Sequence, residues 1–144
     1  MDVDGSESYH IVLHNLQTNS HIDLTSYSVY AQQPNFDFSP DRKMVAFLSD
    51  ELGQFSLYLL TIETGERKSL LDIHHPMWNV KWSPDGKWIV IEAEMEASDR
   101  GIFVVEVESF GAAQDKSGKW KQLDGLNAEQ PAWSPEFKIH CILC

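Results

Sequence analysis

Short apolar runs separated by clusters of turn-forming residues recur along the whole chain. One set, Met44-Val45-Ala46-Phe47-Leu48, Trp88-Ile89-Val90-Ile91 and Ile139-His140-Cys141-Ile142-Leu143, follows a Ser-Pro turn each time. A second set, at residues 11–16, 57–62 and 102–107, is followed by short tails at 21–25, 67–71 and 120–123. Val, Ile, Phe, Tyr and Trp are prominent in these runs, the composition that suits a pleated, half-buried surface. No stretch carries apolar residues at the 3.6-residue spacing of an amphipathic helix. The pattern predicts strands throughout.

The strands come in copies. Asn35-Phe36-Asp37-Phe38-Ser39-Pro40-Asp41-Arg42-Lys43 returns as Asn79-Val80-Lys81-Trp82-Ser83-Pro84-Asp85-Gly86-Lys87 and again as Gln130-Pro131-Ala132-Trp133-Ser134-Pro135-Glu136-Phe137-Lys138. Independently, Leu57-Tyr58-Leu59-Leu60-Thr61-Ile62-Glu63-Thr64-Gly65 matches residues 11–19 without a gap, and residues 102–108 form a third copy. That copy carries an insertion, residues 110–118, read as an enlarged hairpin. In the Ser-Pro-Asp-Gly-Lys turn, Pro presets φ, Asp bonds nearby backbone and Gly accepts a positive φ. Gly65 and Asn19 suit the left-handed position of the other turn. Four strands in roughly 40–45 residues is the blade period of a β-propeller.

The Ser-Pro-Asp-Gly-Lys turn, preceded by an aromatic and followed by an apolar strand, resembles the propeller repeat of the TolB family. Val80-Lys81-Trp82-Ser83-Pro84-Asp85-Gly86-Lys87-Trp88-Ile89-Val90 is the clearest copy. Arg42 replaces Gly in the copy before it, and Glu136-Phe137 replaces Asp-Gly in the copy after it. The resemblance covers nearly the whole chain and implies an all-β propeller of four-stranded antiparallel blades. It says little about function, because this blade serves many proteins.

With strands named a to d from the central channel outward, residues 1–27 carry strands c and d of one blade. Residues 34–74 and 78–124 are whole blades, and 129–144 carry strands a and b of another. About three blades are encoded, too few for a ring, which typically has four to eight. Repeat arrays need neighbours to bury each sheet, so a piece of a longer propeller is the first expectation. A homodimer completing a six-bladed ring, the blade number of the TolB propeller, is the second. An open wedge, exposing apolar blade faces, is the third.

The chain has 11 Lys+Arg against 22 Asp+Glu, a formal charge of −11. That surplus of acid argues against a nucleic-acid partner, whose binding rests on neutralised phosphates. It also argues against an anionic membrane surface, which requires basic clusters. No run of apolar residues is long enough to span a bilayer as a helix. The acidic start lacks the basic and apolar regions of a secretory signal. The expectation is cytoplasmic for the chain as written, or periplasmic if it is part of a TolB-type protein. TolB proteins act in the Tol-Pal envelope system, by implication of the resemblance alone.

Candidate chemistry is sparse. Cys141 and Cys144 form a single C-x-x-C, short of the four ligands of a structural zinc, and residues three apart on a strand face opposite ways. Ser39, Ser83 and Ser134 precede Pro in repeated turns and carry no nucleophile-elbow glycines, so no catalytic residue is assigned. His10 and His14 are read onto one face of a strand, and His74-His75 onto the loop joining two blades. Glu92, Glu94 and Glu96 alternate along a strand and are read as a solvated blade face rather than a calcium site. Trp82 and Trp133, at the position of Phe38, are read as packing between blades. Trp78 is the expected exposed aromatic. No phosphate-binding Gly-rich loop is present, and neither a metal nor a cofactor is expected.

The resulting expectation is a non-catalytic, TolB-like propeller scaffold that binds a protein or peptide. Inter-blade loops open on one face of a propeller, and loops carry function more often than the scaffold does. His74, His75 and Trp78 are therefore the candidate partner-binding residues. The alternative is the N-terminal propeller of a prolyl-oligopeptidase-like serine hydrolase, without its catalytic domain.

Overall fold

The computed structural model describes residues 10–25, 32–51, 53–71, 73–94, 100–107, 120–123, 128–136 and 139–143. These hold twelve strands, and no helix occurs among them. They are β1 (Val12–Asn15), β2 (Ser20–Asp23), β3 (Gln32–Phe38), β4 (Met44–Ser49), β5 (Ser56–Thr61) and β6 (Arg67–Leu71). Then come β7 (Met77–Trp82), β8 (Trp88–Glu94), β9 (Arg100–Glu106), β10 (Trp120–Leu123), β11 (Ala128–Trp133) and β12 (Ile139–Leu143). Two four-stranded sheets run in order β3-β4-β5-β6 and β7-β8-β9-β10, flanked by the two-stranded sheets β1-β2 and β11-β12. All pairings are antiparallel between chain neighbours. The first strands of successive sheets, β3, β7 and β11, pack side by side. This is a partial β-propeller, the fold class expected from the repeats.

The Ser-Pro turn is built twice in the same way. Ser39 Oγ donates to Asp41 Oδ1 at 2.6 Å and accepts the Met44 N–H at 2.9 Å. Ser83 Oγ likewise donates to Asp85 Oδ1 at 2.6 Å and accepts the Trp88 N–H at 2.9 Å. The two carboxylates also accept the Lys43 and Lys87 N–H groups, both at 3.1 Å. Those bonds, the serine hydroxyl's first, hold Asp41 and Asp85 below the usual carboxylate range. Arg42 and Gly86 take left-handed backbone at φ 61° and 73°, and Gly65 and Asn19 do so in the other turn at 70° and 54°.

The core lies between sheets. Side chains on β4, β5 and β6 (Ala46, Leu48, Leu57, Leu59, Leu70, Leu71) meet those on β7, β8 and β9 (Met77, Val80, Trp82, Ile89, Ile91, Phe103, Val105) in one buried cluster. The opposite face of the first whole sheet packs Val45, Phe47, Tyr58 and Leu60 against Ile11 and Leu24. The opposite face of the second packs Val90, Ile102 and Val104 with Trp88, Leu123 and Trp133. Two polar links tie neighbours together. Trp82 N–H donates to Asp37 Oδ2 at 2.8 Å, and Trp133 Nε1–H donates to the Lys81 carbonyl at 3.2 Å. Phe38, Trp82 and Trp133 thus pack between blades, as their repetition predicts. Among the described residues, no helix is long and apolar enough to cross a membrane.

Candidate functional site

Each blade has two unlike ends. The Ser-Pro turns and the Glu63-Thr64-Gly65 turn close one end. The β6–β7 loop and the start of β9 lie at the other. His74 and His75 sit in that loop and are exposed, with His74 at φ 58°. The loop is tied to the sheet, because the Glu94 N–H donates to the Pro76 carbonyl at 2.9 Å. Glu94 in turn faces Arg100 across the β8–β9 ladder. Loop, end of β8 and start of β9 therefore meet at one end of the second whole blade.

Trp78 opens β7 and is half-buried, paired across the sheet with Glu92. Between Trp78 and Lys81 the β7–β8 register shifts, and within that irregularity Asn79 adopts φ 51°. A bulge re-aims the side chains beside it. The Asn79 Nδ2–H group donates to Glu92 Oε2 at 2.7 Å. Arg100 Nη1–H donates to Glu92 Oε1 at 2.9 Å. The Arg100 guanidinium lies 5.2 Å from the Trp78 ring centroid, within cation–π range. Glu92 is 0 % exposed, whereas the Arg100 side chain is 43 % exposed.

The buried Glu92 corrects the reading of a solvated acidic face. Alternation along β8 places Glu92 on the Val90 side, which is the side turned toward the next blade rather than toward water. Burying an unpaired carboxylate would be prohibitive, and the Asn79 amide and Arg100 guanidinium satisfy one oxygen each. Glu94 is half-exposed, and Glu96 lies outside the described residues. Trp78 is less open than the sequence suggested, because Arg100 covers one face of its ring. Among the described residues no group of three or more His, Cys, Asp or Glu side chains is placed to hold a metal ion.

Sequence reasoning pointed to the loop and Trp78 and did not pair Trp78 with Arg100, or Glu92 with Asn79 and Arg100. A signal was present in the repeat. Counted from each Ser-Pro turn, the Glu92 position is Leu48 in the preceding copy and Leu143 in the following one. By the β4–β5 and β8–β9 registers, the Arg100 position is Phe55 in the first whole blade. Polar residues replace apolar ones there in a single blade.

The other readings divide. His10 lies just before β1, with Nδ1 2.7 Å from Asp23 Oδ2, and His14 on β1 stacks on His21 with centroids 6.4 Å apart. Partial burial raises the Asp23 pKa, but hydrogen bonds from His10 and Thr25 outweigh it and leave the carboxyl below its usual range. At the turn end, a shallow cleft is lined by Ser39, Pro40, Asp41, Met44, Trp82, Asp85 and Gly86. The Ser39 and Ser83 hydroxyls are spent on the adjoining carboxylates. Cys144 and the insertion at 110–118 lie outside the described residues.

The fold is a partial propeller of the kind found in TolB. A TolB structure from Acinetobacter baumannii superposes with a TM-score of 0.66 at 22 % identity, covering 89 % of this chain and 30 % of that one. A TolB structure from Agrobacterium tumefaciens gives 0.61 at 16 % identity, covering 76 % and 38 %. The chain has a TolB-like propeller fold. Among curated proteins it is similar to the uncharacterized peptidase YuxL of Bacillus subtilis (strain 168), 29 % identical over 70 % of this chain. The chain spans 20 % of the length of that relative. No protein-family profile matches it.

Proposed function

We propose that the chain is a non-catalytic propeller scaffold that binds a protein or peptide at the loop end of its second whole blade, through His74, His75 and Trp78. The carrying observation is that, beside Trp78 and the His74-His75 loop, Glu92 and Arg100 stand where the first whole blade has Leu48 and Phe55. A rigid sheet framework holds them, the usual arrangement for loop-borne recognition. The TolB-like fold supports the scaffold part of this reading. A second copy of the chain completing a six-bladed ring belongs to the same reading: among the described residues β1-β2 and β11-β12 are two-stranded, and in the whole blades the strands at the places of β12 and β1 pair, as β4 does with β5.

The test is selection of a displayed random-peptide library on the purified chain. Clones should enrich, and their binding should fall about tenfold or more in His74→Ala/His75→Ala and in Trp78→Ala. Circular dichroism melting should show those variants folded. Failure to enrich, or binding indifferent to both variants, would overturn the proposal.

The likeness to YuxL favours a second reading, in which this propeller stands beside a hydrolase domain and controls access to it. On either reading the pure 144-residue chain should not turn over a prolyl-peptide chromogenic substrate. Turnover abolished by a substitution within this chain would sink both.

A further inference from the structure

We infer that His14 and His21 form a two-imidazole site for a divalent transition ion of zinc's class, and that the bound ion clamps β1 to β2. The pair lies on the first hairpin, so the inference stands apart from the peptide-binding reading of the second whole blade.

The repeat carries the argument. His14 and His21 stand directly opposite each other across the β1–β2 ladder. Laying residues 11–19 on 57–65 matches that rung to Leu60–Arg67 in the first whole blade. In the second whole blade the same rung is Val105–Trp120. Histidine thus fills both members of the rung in one copy and neither member in the other two. Leu60 and Val105 are fully buried beneath neighbouring sheets, whereas His14 and His21 are both exposed. Their rings stack almost parallel, 6° between planes and 6.4 Å between centroids. Neither ring makes a hydrogen bond with another described residue. Cross-strand stacking alone does not call for histidine, because any aromatic pair supplies it.

The ring nitrogens then select the ligand. Imidazole suits zinc, copper and nickel, whereas calcium and magnesium take oxygen ligands. Zn–N bonds of about 2.0–2.1 Å hold two rings on one tetrahedral ion with centroids about 5 Å apart. Exposed side chains change rotamer readily, so ring rotation closes the pair from 6.4 Å onto a single ion. The chain's charge of −11 draws a cation toward it. Asp23 lies two residues beyond His21 on the same face. Its oxygens are taken by His10 and the Thr25 N–H, so it adds negative field and no bond to the ion. Water completes the coordination, in keeping with a site of two protein ligands and not three. A two-stranded hairpin is the weakest kind of sheet, and an ion with one ligand on each strand ties its strands together.

Nuclear magnetic resonance of the imidazole ring signals, each assigned by its loss in His14→Phe or His21→Phe, reads the site directly. The probe is Zn2+, in excess over the Cys141 and Cys144 thiols, and Ca2+ is the control. The His14 and His21 signals should shift together along one saturation curve with Zn2+ and stay still with Ca2+. Amide exchange on β1 and β2 should slow over the same range, because the ion spans both strands. Each single Phe variant keeps an aromatic at the rung. The Zn2+ affinity of the ring that remains should fall about tenfold or more, since chelation by two ligands is lost. His14→Leu/His21→Arg restores the pair of the first whole blade and should abolish the Zn2+-dependent slowing while circular dichroism shows it folded. If that variant does not fold, His14→Phe/His21→Phe takes its place with the same expected loss. Absence of a Zn2+ shift, separate curves for the two rings, or an equal response to Ca2+ would overturn the inference. So would unchanged affinity in the folded single variants, or a Zn2+ shift without slower exchange.

Discussion

Arg42 and Gly86 occupy the same corner of successive Ser-Pro turns, and both hold a left-handed backbone. For a residue with a side chain that conformation costs about 1 kcal/mol. Glycine escapes it, although it surrenders more freedom on folding. Arg42→Gly is therefore expected to stabilise the chain by about 0.5–1 kcal/mol, and Gly86→Ala to destabilise it by about 1 kcal/mol. A Cβ at Gly86 would meet Pro40 Cδ at 3.5 Å, ordinary contact, so the loss would be backbone strain and not a clash. Urea unfolding of the two variants checks the pair. A destabilised Arg42→Gly would show that the Arg42 side chain contributes more than its backbone costs. The hydroxyl-to-carboxylate bond beside each corner explains why serine and aspartate recur together, with proline presetting the backbone between them.

Between elements, the Asp37 side chain joins two blades. Asp37 on β3 accepts the main-chain N–H of Trp82 on β7, a residue only 6 % exposed. With Asp37→Ala that donor would be left without an acceptor, a loss of about 1–3 kcal/mol. Amide exchange should rise at Trp82 beyond any rise at Val90, which is held within its own sheet by the β8 ladders. Equal rises at both would mean that the variant loosens the whole chain and that the link has no local role. Such links mark the boundary of what a single sequence makes legible. Turns and strands could be read because their causes are local: Pro fixes φ, Gly65 accepts a positive φ, and β-branched runs fit a pleat. The union of Glu92 with Arg100 depends on a bulge at Asn79 and on which blade face meets the next blade. Neither follows from alternation alone, so three acidic residues on a period of two were read as facing water. His74 and His75 were singled out by their place in a loop of the repeat, and Trp78 by its place at the start of the next strand. The guanidinium over Trp78 was not, since its partner comes from another strand.

At the scale of the molecule, the first and last sheets are two-stranded among the described residues. Among the described residues, β1 pairs only with β2 and β12 only with β11, so each presents a row of backbone groups on its open side. In the whole blades, the strand at the place of β12 pairs with the strand at the place of β1, as β4 does with β5. Carrying the β4–β5 register over sets Cys141 opposite Leu13, as Ala46 stands opposite Leu59. A ring of two copies would make that pair between chains. Each copy carries −11, so their approach is opposed by repulsion that salt screens within about 10 Å at 0.1 M. Light scattering should therefore give a mass near two chains of 16.4 kDa, with the dimer fraction rising as salt is added. Adjacent antiparallel strands hold opposite Cα atoms about 4.5–5.5 Å apart, inside the span of a disulfide. Leu13→Cys should then form an intermolecular disulfide with Cys141 under mild oxidation, and Leu13→Cys/Cys141→Ser should not. A stable monomer at all salt concentrations, with no Leu13→Cys cross-link through Cys141, would exclude the two-copy ring and leave the open edges to a different partner.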